Sequence, residues 1–355
     1  MDAKITKTRL AQMLSYDWLK VIGGALAVIF VWLLVFTWTA TRITNTQKFI
    51  VMNYFGVSLG EEYYNDYEDF VKGKVFSYEI FELENVDINQ DETVGYQLLE
   101  TRWAVGEGDF LVMADILDTS NYYDKDGNSL NEVDENTDYV HKSYLEVFSR
   151  SVYFSNVSRL DDAEGKEGFF TQMKRYLSNF YAISSEREAV YGGKTFTVAD
   201  FDESSLNEER VKELFRARAE KNKDKRYKKE AEWDKGYADE IARIKSYQTA
   251  YEEFFSYLDA GYLSLTAWEY EKTEHQNAKF ESGGVYSVNL CPKEDTMGEV
   301  KKDFYYRQQT EDGKYLTSAK NINALFLELE DLDHDFKYEN ILLVNEIVKR
   351  YCSEL

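Results

Sequence analysis

Proline, cysteine and histidine are scarce in this chain of 355 residues, which contains one Pro, two Cys and three His. Average usage of about 5% would give roughly eighteen prolines, so the single Pro292 excludes a proline-rich linker or stalk. The histidines have no paired spacing with one another or with a cysteine. We therefore expect no zinc site at His141, His275 or His334.

Sequence signatures of catalysis are also missing. The chain has no G-x-S-x-G nucleophile elbow, no H-E-x-x-H metal motif and no phosphate-binding glycine loop. Its 65 Asp and Glu residues are too numerous for any two to be assigned as an acid and base pair. We expect that this protein is not an enzyme.

Negative charge is in excess, since 42 Lys and Arg against 65 Asp and Glu give a net charge of −23. This balance excludes nonspecific nucleic-acid binding by the chain as a whole. The contents of 44% hydrophobic and 16% aromatic residues predict a folded chain with one large domain or two lobes. Residues 1–41 hold four basic and two acidic residues and so have a net charge of +2, which leaves a net charge of −25 for residues 42–355.

One long apolar run stands near the N-terminus. From Val21 to Ala40 it reads VIGGALAVIFVWLLVFTWTA, twenty residues without a charge, and a helix of that length spans about 30 Å of hydrocarbon. Trp18 and Lys20 precede the run and Arg42 follows it, as is typical of membrane interfaces. The run predicts a transmembrane helix; the alternative is a cleaved signal peptide, whose apolar region is shorter, about 7–15 residues.

The flanking charges predict the orientation of this helix. More basic residues precede the run than follow it before the acidic stretch that begins at Glu61. By the positive-inside rule, residues 1–18 form a cytoplasmic tail, residues 19–41 cross the cell membrane, and residues 42–355 form a single extracytoplasmic domain or two lobes. A disulfide between Cys291 and Cys352 is chemically allowed there, but two cysteines 61 residues apart do not make a disulfide framework, and the sequence favours free thiols.

The hydrophobic pattern predicts an α/β fold. Its first part favours strands over 48–56, 75–86 and 109–116 and helices over 61–72 and 92–105, an order typical of a parallel sheet. Later segments predict a loop or hairpin over 118–139, strands over 144–157, a helix over 168–183, one helix or two in series over 207–258, strands over 261–270 and 284–290, a strand or short helix over 321–329, and a helix over 338–351.

The stretch from Phe49 to Ile116 resembles the first lobe of type 2 extracellular solute-binding proteins of ABC transporters. The likeness lies in strands over 49–54 and 78–86, a helix over 97–105, the turn Gly106-Glu107-Gly108-Asp109 and an apolar strand closing on Asp115. The resemblance implies a second lobe, a hinge and a ligand between the lobes. The chain also resembles membrane-anchored proteins of Gram-positive bacteria that share this plan of one span followed by an α/β domain.

Two sets of residues are candidates for binding. The segment from 124 to 135 resembles an EF-hand loop and predicts a Ca²⁺ site, or else a hairpin turn at Asp126-Gly127, with the oxygen ligands Asp124, Asp126, Asn128, Glu132 and Glu135. The aromatic surplus predicts a cleft that stacks on sugars or peptides. Its candidate residues, with Tyr54 and Asp115 preferred because they end strands, are Tyr54, Trp103, Asp115, Trp268, Tyr270 and Tyr286.

A third feature is the densely charged segment from Arg210 to Lys235 with KNKDKRYKKE at its centre. It predicts an exposed helical arm, which is either a solvated surface or a contact with an acidic partner or lipid headgroups. The sequence as a whole favours a membrane-anchored protein that binds a small ligand or a transporter or envelope partner without covalent chemistry. The alternative is a scaffold subunit of a cell-envelope complex that contacts other chains through the arm.

Overall fold

The computed structural model describes residues 7–39, 43, 47–54, 56–60, 62–63, 67–88, 92–124, 129–130, 132–134, 136–270, 279–309, 313–328 and 338–352. The helices are α1 (Lys7–Thr39), α2 (Tyr67–Phe70), α3 (Glu92–Ala104), α4 (Tyr144–Arg150), α5 (Phe169–Leu177), α6 (Glu208–Lys221), α7 (Glu230–Ala260), α8 (Glu294–Met297) and α9 (Glu339–Tyr351). Short 3₁₀ helices cover Val152–Asn156, Glu203–Ser205 and Gly298–Lys302. The strands are β1 (Lys48–Asn53), β2 (Ser58–Leu59), β3 (Glu82–Asp87), β4 (Phe110–Ala114), β5 (Leu117–Tyr123), β6 (Ser129–Leu130), β7 (Val140–Ser143), β8 (Ile183–Tyr191), β9 (Lys194–Phe201), β10 (Ser264–Trp268), β11 (Gly284–Asn289), β12 (Phe304–Gln309), β13 (Tyr315–Ser318) and β14 (Ile322–Phe326).

The chain divides into two compact units, residues 1–44 and residues 45–355. Within α1 the structure describes a continuous run of side chains only from Ile22 to Phe36, and all of them are exposed. Among the residues that the structure describes, no helix is both long enough and apolar enough to cross a membrane. The structure gives no support to the transmembrane helix over 19–41, which stays a prediction from the sequence.

A mixed sheet of six strands forms the centre of the second unit, in the order β10-β11-β14-β4-β1-β3. Strand β1 pairs in parallel with both β3 and β4, so that Met52 lies opposite Val86 on one side and Leu111 on the other. The parallel arrangement predicted for this part of the chain is confirmed. The strands β14, β11 and β10 from the C-terminal part extend the same sheet in antiparallel pairs. One compact unit thus stands where the sequence also allowed two lobes.

Both faces of this sheet are buried. Alternate residues of a strand point to opposite faces, and in β1 the side chains of Phe49 and Val51 join a first core with α5, α7 and α9. Ile50 and Met52 join a second core with α3, α4 and the 3₁₀ helix Val152–Asn156. Every residue in both cores lies between Phe49 and Tyr351, so residues 45–355 carry their own hydrophobic interior without α1.

The turn between α3 and β4 has the predicted glycine character. Gly106 and Gly108 both have positive φ, 72° and 137°, a conformation that residues with a Cβ rarely adopt. Asp109 completes the turn, because its carboxylate accepts a hydrogen bond of 2.7 Å from the backbone N–H of Ile50. Burial raises the pKa of Asp109 to about 7. This aspartate holds the first strand against the turn.

Three sequence predictions need correction. Among the described residues, the helix expected over 61–72 is reduced to α2. The strand expected over 75–86 is reduced to β3, because Phe76 and Ile80 are buried although they do not belong to a strand. The segment 144–157 is helical and contains no described strand. Its helix α4 begins after Ser143, whose hydroxyl accepts a hydrogen bond from the backbone N–H of Glu146, an N-cap that a Ser-x-x-Glu spacing favours.

A hairpin of β8 and β9 lies where no strands were predicted. Its two turn residues, Gly192 and Gly193, have φ values of 57° and 77°, as a two-residue hairpin turn requires. A Cβ at position 192 would lie 2.5 Å from the carbonyl oxygen of Leu265 in β10. The close approach explains why glycine occupies that position.

The predicted charged arm is a pair of packed helices, α6 and α7. The ring of Phe215 in α6 meets Trp233 and Tyr237 of α7 at centroid distances of 6.0 and 5.7 Å. The apolar stripe expected in the second half docks as predicted, with Tyr247 and Phe254 fully buried in the first core. The arm is therefore attached to the domain along much of its length.

Buried charges fix this helix pair in place. Arg243, whose side chain is 0% exposed, donates to both carboxylate oxygens of Glu240 at 2.5 and 3.0 Å. Arg218 of α6 donates to the same carboxylate at 2.9 and 3.2 Å, and the hydroxyl of Tyr78 does so at 2.9 Å. Burial alone would raise the pKa of Glu240, but Arg243 and Arg218 outweigh it and lower that pKa to about 2.

We predict that Glu240→Gln lowers the free energy of unfolding by about 3 kcal/mol or more, because two largely buried guanidinium groups lose their counter-charge. Urea unfolding at pH 7, followed by circular dichroism, measures the change. The pKa of Glu240 is lower in the folded than in the unfolded chain, so its contribution is complete above about pH 4.3 and is lost as the pH falls towards 2. In the Glu240→Gln variant, the free energy of unfolding should therefore fall less steeply as the pH is lowered from about 4.3 towards 2.

A matched control is Glu220→Gln, which removes a carboxylate from the exposed pair with Arg216. We expect a loss below about 1 kcal/mol. Equal losses in the two variants would show that the buried cluster does not hold the helix pair.

Candidate functional site

A surface groove with a volume of about 930 Å³ lies beside the central sheet. Its walls come from the loop between the 3₁₀ helix Val152–Asn156 and α5, from the start of α5, from residues 279–286 and from Glu328. The lining is mostly polar or charged and includes Ser155, Arg159, Asp161, Ala163, Lys166, Glu167, Arg175, Lys279, Glu281, Tyr286 and Glu328.

Backbone hydrogen bonds place this loop at the edge where the parallel strand β4 begins. The N–H of Leu327 donates to the carbonyl of Asp109, just before β4, and the N–H of Glu328 donates to Asn156. Ser158 and Leu160 donate to the ends of β14 and β11, at Phe326 and Val285. The groove therefore lies at the amino end of β4, opposite the carboxyl end at which we expected a ligand.

Arg159 is the fixed cation of the groove. Its Nε and Nη2 donate to the two carboxylate oxygens of Asp161 at 3.0 and 2.9 Å. Asp161 is only 3% exposed and also accepts the backbone N–H of Val285 at 2.7 Å. These hydrogen bonds from Arg159 to Asp161 raise the pKa of Arg159, against the opposing effect of burial. The guanidinium lies 5.9 Å from the ring centroid of Tyr286.

Arg159 also pairs with a second carboxylate, on the side away from Asp161. Nη1 of Arg159 donates to Glu281, whose side chain is 48% exposed. Arg159 is thus paired on one side with a buried carboxylate and on the other with a solvated one. Exposed ion pairs contribute at most about 1 kcal/mol, so the contact with Glu281 can be exchanged for another anion without disturbing Asp161.

The lining of the groove combines both charge signs. Four cations and four carboxylates line it, in contrast to the net charge of −23 for the chain: Arg159, Lys166, Arg175 and Lys279, and Asp161, Glu167, Glu281 and Glu328. Lys279 donates to the carbonyl of Ser155 at 2.8 Å, and Arg175 pairs with Glu167 at 2.8 Å. Lys166 is exposed and pairs with no carboxylate of the described residues. The groove can therefore receive a ligand that carries an anionic group.

The six predicted ligand-binding residues do not line one common cleft. Tyr54, Trp268 and Tyr286 belong to the second core and are 1%, 3% and 2% exposed. Trp268 and Tyr286 lie in strands, on the side that faces this core, and Tyr54 directly follows β1. Tyr54 packs edge-on against Phe148, and the indole N–H of Trp268 donates to Ser287. Tyr286 alone reaches the groove.

Two of the other three, Trp103 and Tyr270, are partly buried and pack against the same second core. Trp103 packs edge-on against Tyr153 at 5.5 Å beside the second core. Asp115 and Tyr270 meet around Ser143, whose Oγ lies 3.4 Å from the hydroxyl of Tyr270. Burial raises the pKa of Asp115, while a hydrogen bond from Ser143 lowers it. This small polar cluster lies at the carboxyl end of β4. The ring of Trp268 also contacts those of Tyr270 and Tyr286, at centroid distances of 5.8 and 5.6 Å, so aromatic packing inside the second core joins three of the predicted residues.

The predicted calcium ligands fall partly outside the described residues, since Asp126, Asn128 and Glu135 lie there, and only Asp124 and Glu132 are described. Strand β5 precedes the predicted loop and β6 lies within it, with Tyr122 opposite Leu130 and Tyr123 opposite Ser129 in an antiparallel pair. No group of three or more His, Cys, Asp or Glu in the described part of the chain could hold a metal. The calcium site stays a prediction.

The two cysteines are free thiols, so the structure contains no bridge between Cys291 and Cys352. Cys291 is buried, and its thiol donates to the carbonyl of Met297 at 3.4 Å. Burial raises the pKa of this thiol to about 12, which leaves it protonated at neutral pH. The Nδ1 of His141 lies 2.9 Å from the carbonyl of Asn121, whereas His275 and His334 lie outside the described residues.

We predict that Asp161→Ala lowers the free energy of unfolding by about 2 kcal/mol or more, because the buried N–H of Val285 and the guanidinium of Arg159 both lose an acceptor. The matched variant Glu281→Ala should cost less than about 1 kcal/mol. Urea unfolding of the two variants gives the comparison. A large loss from Glu281→Ala would mean that this carboxylate is a structural part of the groove and is not exchangeable.

No protein-family model matches this chain, and no curated protein and no solved structure is significantly similar to it. What the structure establishes is a mixed α/β domain with a charged groove at one edge of its central sheet.

Proposed function

We propose that this chain is a single-pass membrane protein whose extracytoplasmic α/β domain binds a small polar ligand non-covalently in the groove around Arg159. The observation that carries the proposal is the arrangement of Arg159. Among the described residues, the guanidinium pairs with the buried Asp161, which fixes its position, and with the exposed Glu281.

The size and lining of the groove support this function. Small-molecule sites have volumes of about 300–1,000 Å³ and contain a few fixed polar groups, and the groove has a volume of about 930 Å³. A ligand carboxylate can replace Glu281 on Arg159, and the exposed cation Lys166 belongs to the same lining. The released Glu281 is then available to an ammonium group. Amino acids and short peptides carry both groups.

The membrane attachment in this proposal is supported by the sequence. Val21 to Ala40 carries no charge, Lys20 and Arg42 flank the run, and most nearby basic residues lie on its N-terminal side. A helix, α1, covers residues 7–39. Delivery of the ligand to a transporter permease or an envelope partner is consistent with such a tethered domain.

A thermal-shift screen of residues 45–355 against amino acids, short peptides and sugars tests the function. We expect stabilisation by compounds with a free carboxylate and an ammonium group, equivalent to about 2.7 kcal/mol at a ligand concentration of 100 times Kd. Ala163→Trp, which places a large ring in the groove lining, should abolish the shift. Glu281→Gln should preserve or increase it, because the variant leaves Arg159 without its outer partner.

The control variant is Lys301→Glu, which changes an exposed charge outside the groove lining and should leave the ligand shift unchanged. The proposal is wrong if none of these compounds stabilises the domain, or if a compound stabilises the Ala163→Trp variant as much as the natural protein.

A further inference from the structure

The loop that joins α6 to α7 carries a concentrated positive charge. Residues 221–229, which we call the basic tip, read KNKDKRYKK. All five lysines in it are exposed, namely Lys221, Lys223, Lys225, Lys228 and Lys229. With Arg226 balanced by Asp224, the basic tip has a net charge of +5 in a chain whose net charge is −23.

Four carboxylates around the basic tip are engaged by other groups. Asp224 and Glu79 both accept hydrogen bonds from Arg226, at 2.7 to 3.1 Å. Glu220 pairs with Arg216, and Glu232 accepts the backbone N–H groups of residues 228 and 229 at 2.8 Å each. The five lysines form no ion pair with any carboxylate that the structure describes, so their charges are available to a partner.

The basic tip is held rigidly. Arg226 donates two hydrogen bonds to Glu79, which is 7% exposed and lies before β3. The ring of Tyr227 packs edge-on against Phe215 at 4.9 Å, and a Cβ at Gly236 would lie 2.6 Å from Tyr227 and 2.7 Å from Phe215. Binding at this surface would therefore order the lysine side chains only, and not the backbone of the loop.

We propose that the basic tip binds the phosphate headgroups of an anionic membrane surface. Lysines near such a surface each add about fivefold to the affinity, and the half-buried Tyr227 and Trp233 beside them are residue types that favour the membrane interface. A protein interface is less consistent with this composition, because lysine is depleted at protein–protein contacts. The acidic remainder does not cancel the attraction, since charges more than about 10 Å away are screened at 0.1 M salt.

This inference is independent of the groove. It agrees with the proposed membrane attachment, because a tether would raise the local concentration of the surface, but the test uses residues 45–355 without α1. This segment contains both hydrophobic cores, and its fold is checked by circular dichroism before binding is measured.

The experiment is sedimentation with vesicles of phosphatidylcholine alone and of phosphatidylcholine mixed with phosphatidylglycerol, at 50 mM and 500 mM salt. We expect binding only to the anionic vesicles and only at the lower salt concentration. Replacement of Lys221, Lys223, Lys225, Lys228 and Lys229 by glutamine should weaken binding at least about a hundredfold. Replacement of five exposed lysines elsewhere, with the same change in net charge, should weaken it less than about tenfold: Lys74, Lys301, Lys302, Lys320 and Lys349.

Three results would overturn the proposal. The first is equal binding to neutral and anionic vesicles, and the second is equal weakening by the two sets of substitutions. The third is release of the domain from the anionic vesicles by inorganic phosphate or poly-glutamate, at a concentration of negative charge equal to that of the lipid. That result would assign the basic tip to a soluble anion or an acidic protein. Because the groove is not involved, failure here leaves the ligand-binding proposal untouched.

Discussion

The central sheet takes strands from both ends of the domain, and this constraint determines where everything else can lie. Strands β1, β3 and β4 come from residues 48–114 and strands β10, β11 and β14 from residues 264–326. Since both faces are buried, the residues between these two groups must form layers that cover the sheet. The loop 155–167 crosses the edge of the sheet at this point, where β14 meets the start of β4, and the groove is a consequence of that crossing.

Charge is used in two distinct ways around this sheet. Where it is buried, each group has partners: Arg243 and Arg218 share Glu240, and Arg159 is held by Asp161. At two exposed places the charge is positive. The outer side of Arg159 is paired with the solvated carboxylate of Glu281, and the lysines of the basic tip pair with no carboxylate among the described residues. Both proposed contacts, with a ligand and with a membrane, use this second kind of charge.

The sequence predicted the elements that are marked by a continuous apolar run, a glycine stop or an amphipathic stripe. The apolar runs of β1 and β4, the helix α3 with its glycine stop and the amphipathic stripe of α7 all agree with the structure. The hairpin strand β8 was missed because nearly all of its residues are exposed, so it has no alternation of apolar and polar residues. The helix α4 was predicted as a strand because its aromatic and β-branched residues outweighed the Ser143 cap.

The groove could not be predicted from the sequence, because its contacts join distant residues: Arg159 and Glu281 are 122 positions apart, and Asp161 and Val285 are 124 positions apart. No local motif marks either residue, and aromatic content pointed to Tyr54 and Trp268, which the structure buries in the second core. The basic tip was visible as a run of charge. Its attachment through Arg226 to Glu79 was not, since that pair also depends on the fold.

Ligand binding in the groove is the central claim, and native mass spectrometry of the freshly purified domain tests it whatever the identity of the ligand. We predict an adduct of a few hundred daltons on residues 45–355 that is absent from the Ala163→Trp variant purified in the same way. The same adduct on both proteins, or none on the natural domain, would contradict the claim.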